Sequence, residues 1–194
     1  MILRAVIAVV LIGLSALAGS YYARHAVRAQ TSARTFVHNG PWRTDATLAS
    51  PDSSPQIRAY LAMTGLFGLP IEETAYYELD RTDEGAQIDA SGIYEIRGRD
   101  MPARWWSITV YDHDNFLTPN AYERYSVKGT EVAREADGSF RIRLSRDPQE
   151  GDWIPLGDGH DMIVLLRLYN PDPELANQLE TVALPSVTRI GDAP

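Results

Sequence analysis

From Ala5 to Ala23 the chain reads AVIAVVLIGLSALAGSYYA, nineteen residues without a charge. At about 1.5 Å of rise per residue such a helix reaches roughly 28 Å, close to the hydrocarbon thickness of a bilayer. The run is apolar on every side, and a protein this small has no core able to bury it, so residues 1–23 are expected to form a transmembrane helix. Tyr21 and Tyr22 close it as interfacial aromatics do, and Arg24, His25 and Arg28 follow. Ala16–Ala18 before Gly19 resembles a signal-cleavage site. The apolar run continues past it, and a retained anchor is the expectation.

Residues 24–52 carry no sustained period and several turn formers, and read as a polar tether. Within it, Phe36, Val37 and Trp42 are candidates to pack on the domain edge. A soluble helix follows, with Ser54 as cap, Pro55 at its first position and Ile57, Tyr60, Leu61 and Thr64 on one face. Gly68-Leu69-Pro70 ends it. Beyond that the period becomes two. TAYYELD, SGIYEIRG and RWWSITVYD read as strands, the last with Trp106, Ile108 and Val110 on one side and Trp105, Ser107, Thr109 and Tyr111 on the other. EVAREADGSFRIRLS reads as a hairpin turning at Asp137-Gly138, with Phe140, Ile142 and Leu144 inward and Arg141 and Arg143 outward. DMIVLLRLY reads as a central strand buried on both faces, and SVTRI as a last strand. Residues 53–194 are thus expected to be mainly β, an antiparallel β-sandwich of jelly-roll type with one short helix, behind an N-terminal transmembrane helix.

Composition narrows the function. At 44% hydrophobic and 23% charged the chain is globular rather than disordered. It has no cysteine, which removes disulfides and thiolate chemistry. Setting aside the three arginines of the first thirty residues leaves 15 basic against 26 acidic residues, a formal charge of −11. So acidic a domain, without a basic stripe, is a poor match for nucleic acid.

The densest polar stretch is YDHDNFLTPNAYERYS, Tyr111–Ser126. It begins like a calcium loop at Asp112 and Asp114, then places Phe116 and Leu117 where a ligand and a glycine are needed. A metal site built from Asp112, His113 and Asp114 with Asp158, His160 and Asp161 requires the two strand ends to be neighbours. Loops rich in Asp, His and Gly also form for turn geometry alone, so no metal or cofactor is assigned. A carboxylate-pair hydrolase drawing on Asp112, Asp114, Glu123, Asp152, Asp158 or Asp161, with Trp105, Trp106 and Trp153 as sugar platforms, needs two carboxyls in one cleft. Asn120, Arg124 and Tyr125 suit either a pinned loop or a ligand contact, the pinned loop being favoured.

Taken together, ARWWSITVYDHDNFLTPNAYERYSV, ADGSFRIRLS, GDWIPLGDG and VLLRLYNPDP resemble the domain of unknown function 1214 family, over about residues 92–175. The shared positions are Asn120, Arg124, Tyr125, Ser126, Asp137, Gly138, Trp153, Pro155, Arg167, Tyr169 and Pro171. Asp152 stands where the family more often has asparagine, and His113 and His160 lie outside the pattern. The resemblance implies a jelly-roll sandwich in a bacterial protein, sometimes accompanied by a domain of unknown function 1254, and export behind a hydrophobic N-terminus. Arg24, Arg28 and Arg34 after the span against Arg4 before it would, by the positive-inside rule, keep the domain cytoplasmic. The resemblance outweighs that count, so the inner membrane with the domain facing the periplasm is expected. The leading expectation is a binding or accessory module for a glycan, an envelope polymer or a partner bearing the companion domain, with ligand residues Trp105, Asn120, Arg124, Tyr125, Trp153 and Arg167. The alternative is a hydrolase using loop carboxylates, with or without metal at Asp112, His113 and His160. Whether the protein is an enzyme stays open at this stage.

Overall fold

The computed structural model describes residues 2–32, 36–45, 47, 49–50, 53–64, 68–158 and 160–193. The chain divides into two compact units, Met1–Thr35 with Asp52–Gly68, and Phe36–Pro51 with Leu69–Pro194. The first unit holds helices α1 (Ile2–Ser32) and α2 (Pro55–Thr64), which contact each other. The stretch Ile2–Val27 of α1 is long and apolar enough to cross a membrane, and its most apolar window is entirely unburied. The helix continues past Ala23 into the stretch expected to be tether, because good helix formers follow and no glycine or proline interrupts before Gly40. Ser54 caps α2 as the sequence suggests, its hydroxyl accepting the Ile57 N–H at 3.3 Å. α2 groups with α1 rather than with the strands that follow it.

The second unit contains strands β1 (Val37–Asn39), β2 (Trp42–Thr44), β3 (Thr74–Leu79), β4 (Gly92–Gly98), β5 (Ala103–Asp112), β6 (Ser126–Lys128), β7 (Phe140–Ser145), β8 (Asp152–Pro155), β9 (Met162–Pro171) and β10 (Ser186–Asp192). They form a six-stranded sheet, β1-β2-β3-β9-β5-β6, and a four-stranded sheet, β10-β4-β7-β8. One core joins them. Tyr77, Leu79, Ile108, Val110, Val164, Leu166 and Leu168 come from the larger sheet, and Tyr94, Ile96, Phe140, Ile142, Leu144, Ile154 and Val187 from the smaller. The mainly β, two-sheet class therefore stands.

Four features depart from the sequence expectations. Residues 37–44, assigned to the tether, fold as the hairpin β1–β2. Gly40, at φ +60°, supplies the first position of its two-residue loop. Trp42 buries its ring and donates to the Pro185 carbonyl at 2.7 Å, and the Asn39 amide reaches the Val182 carbonyl at 2.7 Å, so the hairpin is clamped by the far end of the chain. Second, the sandwich is not wholly antiparallel: β7 and β8 run parallel, Ile142 opposite Asp152 through Ser145 opposite Pro155. The return loop 146–151 is far shorter than the dozen residues such connections usually need, and Gly151 turns it at φ +78°. Third, the Asp137-Gly138 turn forms, with Gly138 at φ +80°, but its first arm contributes one bridge, Arg134 to Phe140. That arm is drawn off because the Ala133 N–H goes to the Asp152 carboxylate at 2.7 Å. Fourth, β9 is central but not buried on both faces. Met162, Val164, Leu166 and Leu168 enter the core, while Ile163, Leu165, Arg167 and Tyr169 are half-buried on the outer side.

Burial pushes the Tyr77 hydroxyl up to about 12, and its proton is held on the Leu179 carbonyl at 3.2 Å. Its folded value lies above the unfolded one near 10, so this stability is complete below about pH 10 and lost as pH rises through 12, a loss of up to ~3 kcal/mol. Tyr77→Phe is expected to cost about 1 kcal/mol at neutral pH and to flatten the alkaline limb of stability. Thermal melts of both proteins from pH 8 to 12 read this directly, and parallel declines would overturn it.

Candidate functional site

The loop Asp112–Tyr125 leaves the end of β5 and returns as β6. Its turns are built by its own side chains. The Asp112 carboxylate accepts the N–H groups of Asp114 at 3.0 Å and Phe116 at 2.8 Å. Asn120 spends both ends of its amide on the loop: Nδ2 donates to the carbonyls of Thr118 and Arg124 at 3.3 and 3.1 Å, and Oδ1 accepts from Tyr122 and Arg124 at 3.1 and 3.2 Å. It is a pin for the segment that presents Arg124 and Tyr125. Gly157, at φ +64°, lies against this loop, and any side chain there would collide with the Thr118 methyl.

Beside the pinned segment opens a cleft of about 450 Å³ lined by Tyr122, Glu123, Arg124, Tyr125, Lys128, Glu131 and Asp152, among others. A second, of about 320 Å³, is lined by Ala133, Arg134, Glu135, Arg141, Arg143, Glu150, Gly151 and Asp152. Asp152 belongs to both. Its Oδ2 accepts the Ala133 N–H and its Oδ1 lies 3.8 Å from the Arg124 guanidinium. Lys128 pairs with Glu131 at 3.0 Å. These partly exposed pairs are each worth no more than about 1 kcal/mol; they orient groups and do little for stability.

Trp153 is 4% exposed, donates to the Ser145 carbonyl at 2.9 Å and takes the edge of Tyr122 at 4.9 Å between ring centres. It props the loop and offers no open ring face to a ligand. Trp105 and Arg167 lie elsewhere, on the outer face of the larger sheet. Trp105 packs on Tyr169 at 4.8 Å, and Arg167 donates to the Thr109 and Tyr111 hydroxyls at 3.2 and 2.7 Å, its cation over the Tyr111 ring. Burial raises the Tyr169 hydroxyl, Arg167 works against that, and Tyr76 and Tyr111 add to it. The six residues expected to bind ligand thus separate: Arg124 and Tyr125 line a cleft, Asn120 and Trp153 support it, and Trp105 and Arg167 form a different surface.

β5 and β9 are neighbours, Asp112 standing opposite Met162, so the two acidic, histidine-bearing strand ends do share a rim. Among the described residues no three His, Asp or Glu side chains gather as metal ligands. His113 faces Asp114 at 3.4 Å with both side chains 68% exposed, and His160 and Asp161 are exposed. Lys128, Arg143 and the double role of Asp152 were not singled out as binding groups from sequence. Periodicity put Arg143 outward, but only the β4–β7–β8 register shows that it faces a cleft.

A family described as Protein of unknown function (DUF1214) matches residues 73–173, just over half of the 194 residues. The chain belongs to this family. The match begins just ahead of β3 and ends just after β9, so it takes in both clefts. Among solved structures, the VPA0106 protein from Vibrio parahaemolyticus is similar with a TM-score of 0.56 at 22% identity, over 72% of this chain and 36% of that one. An uncharacterised protein from Burkholderia cenocepacia is similar at 18% identity with a TM-score of 0.45, over 91% of this chain and 42% of that one. The chain spans well under half the length of either, and the first likeness is one of fold. No protein of curated function matches the sequence.

Asn120→Ala is expected to speed amide exchange at Tyr122 and Arg124 by tenfold or more while leaving β9 protected. Asn120→Asp, which keeps the acceptors and loses the donors, should fall between. Hydrogen exchange by mass spectrometry distinguishes this from a global loss, in which β9 would open as well.

Proposed function

We propose that this DUF1214 protein is a membrane-anchored module of the bacterial cell envelope that faces the periplasm and binds a glycan or envelope polymer. The observation that carries this is the pair of open polar clefts meeting at Asp152, with Arg124, Lys128, Tyr122 and Tyr125 on one wall set. Guanidinium, ammonium and phenol groups on a pinned loop are the donors and amphipathic rings by which hydroxylated polymers are held. The hydrolase alternative needs two carboxyls poised in one cleft. Here Glu131 is paired with Lys128, Glu135 with Arg141 and Arg97, and Asp152 is committed to Ala133 and Arg124. Among the described residues this leaves a single uncommitted carboxylate in each cleft, Glu123 in the larger and Glu150 in the smaller. That disposition favours binding over hydrolysis.

A protein partner bearing the companion domain is a second reading. The shared fold makes up 36% of the VPA0106 chain, and a fold that occurs within longer chains is one that works against neighbouring chain. The candidate span supports anchoring.

The full chain in nanodiscs is expected to bind purified envelope polysaccharide, and Arg124→Ala and Tyr125→Ala should each weaken that binding about tenfold, or roughly 1.4 kcal/mol. Unchanged binding in both variants would move the site off this cleft, and absence of binding would leave the partner reading. A carboxy-terminal alkaline phosphatase fusion should be active in cells. A fluorescent, phosphatase-inactive fusion would place the domain in the cytoplasm.

A further inference from the structure

The arginines around the smaller cleft are not equivalent. Arg134 is held by Asp100 at 2.6 Å and the Gly129 carbonyl at 3.0 Å, and lies over the rings of Trp106 and Phe140. Arg141 reaches Glu135 at 2.5 Å and Glu95 at 3.5 Å. Arg143 differs from both. It is half-buried on β7, opposite Glu95 of β4 on one side and beside Trp153 of β8 on the other, and it has no hydrogen-bond or ion-pair partner among the described residues.

Apart from Glu150, the acids nearby are already engaged. Glu95 is taken by Arg141, and Glu135 is shared by Arg141 and by Arg97 at 3.3 Å. Asp152 holds the Ala133 N–H and faces Arg124. A half-desolvated guanidinium presents five donors in a planar fork that fits a carboxylate with two parallel bonds. In the free protein only water in the open cleft fills that fork, and a carboxylate offers it a charge-assisted, two-point match. The cleft in front of it, about 320 Å³, is within the usual size of small-ligand sites.

We infer that this cleft is a carboxylate site, with Arg143 as the anchor of an acidic sugar residue. The walls choose the ligand. Glu135, Glu150 and Asp152 also line it. A ligand with one negative charge, matched by Arg143 as the single free cation among the described residues here, therefore meets less repulsion from these carboxylates than a doubly charged phosphate does. The same carboxylates accept hydrogen bonds from hydroxyls, which a sugar acid carries and a simple fatty acid does not. At the rim, a side chain on Gly151 would meet nothing within 4 Å, so the cleft stays open on that side and a sugar within a longer chain can enter. The domain's net negative charge disfavours dense polyanions at long range but is screened beyond about 8 Å in physiological salt, which leaves a sparsely charged polymer free to approach.

This inference deepens the binding function proposed above and rests on it. The test uses the full chain in nanodiscs with a glucuronate-bearing oligosaccharide, the same oligosaccharide with its carboxyl reduced to the alcohol, glycine, and inorganic phosphate. The acidic oligosaccharide is expected to bind at least tenfold more tightly than the reduced form. Arg143→Ala should erase that difference, and Arg143→Lys, which keeps the charge and loses the fork, should retain part of it. Glu150→Gln, which removes a wall charge and keeps an acceptor for hydroxyls, should strengthen phosphate more than the acidic oligosaccharide, and melts of each variant confirm the fold. Equal binding of the two oligosaccharides, discrimination surviving in Arg143→Ala, or tighter binding of phosphate or glycine would each overturn the carboxylate site. If both oligosaccharides bind equally and Arg124→Ala weakens both, the carboxylate site falls and the binding module stands. If neither binds, the carboxylate site falls, and the polysaccharide experiment above judges the module separately.

Discussion

Strand β9 is hydrogen-bonded along both edges, to β3 from Val164 through Tyr169 and to β5 from Met162 through Pro171. Leu166 sits between Tyr77 and Ile108, all three fully buried. The whole of the larger sheet is referenced to that strand. Because side chains alternate, a slip of one residue would turn Leu166 outward and Arg167 into the core. The same register places the end of β5 beside the start of β9, and so fixes where the Asp112–Tyr125 loop departs. β6 then hangs on β5 at Ser107, Ile108 and Thr109, carrying Lys128 to the cleft wall.

The polar clefts are therefore edges of the core rather than additions to it. Arg134 shows the coupling: one guanidinium closes the end of the apolar layer over Trp106 and Phe140 and also lines a cleft. Gly129, whose carbonyl it uses, lies so close to the Trp106 indole that an added Cβ would stand 2.6 Å from its nitrogen. Networks of this sort respond as units, and single deletions in them are not additive.

Much of this was legible from sequence because period and burial coincide. The alternation in RWWSITVYD and FRIRLS gave the correct inward sets, and Ser54-Pro55 marked the start of α2. What was not legible follows from pairing at a distance. Residues 37–44 look like linker because the hairpin arms are three residues each and the carbonyls that clamp their side chains, Val182 and Pro185, lie about 140 residues away. GDWIP is too short to announce a strand, and nothing local says that it runs parallel to β7. Among candidate site residues, an asparagine after proline was readable as a pin, whereas Trp153 reads as an exposed platform until β8 is placed. Arg143 and Arg141 look alike in sequence. Register sets Glu95 opposite Arg143 and Arg97 opposite Arg141, yet it is Arg141 that reaches Glu95 and Glu135, so only the side-chain pairing separates them.

The short return between β7 and β8 has a consequence for how this site can change over time. Residues 146–151 join two strands of the rigid sheet, so their conformation is set when the sandwich folds, and a ligand need not organise that wall on arrival. Lengthening such a connection is thermodynamically mild, about 0.6 kcal/mol per doubling, and touches no buried side chain of β7 or β8. Glu150 and Gly151 would move with the insertion while Arg143, fixed on its strand, would not. The width of the cleft is thus adjustable by loop length while Arg143 stays in place, so that the spacing between the strand-borne cation and the loop-borne acid Glu150 is able to drift on one unchanged scaffold.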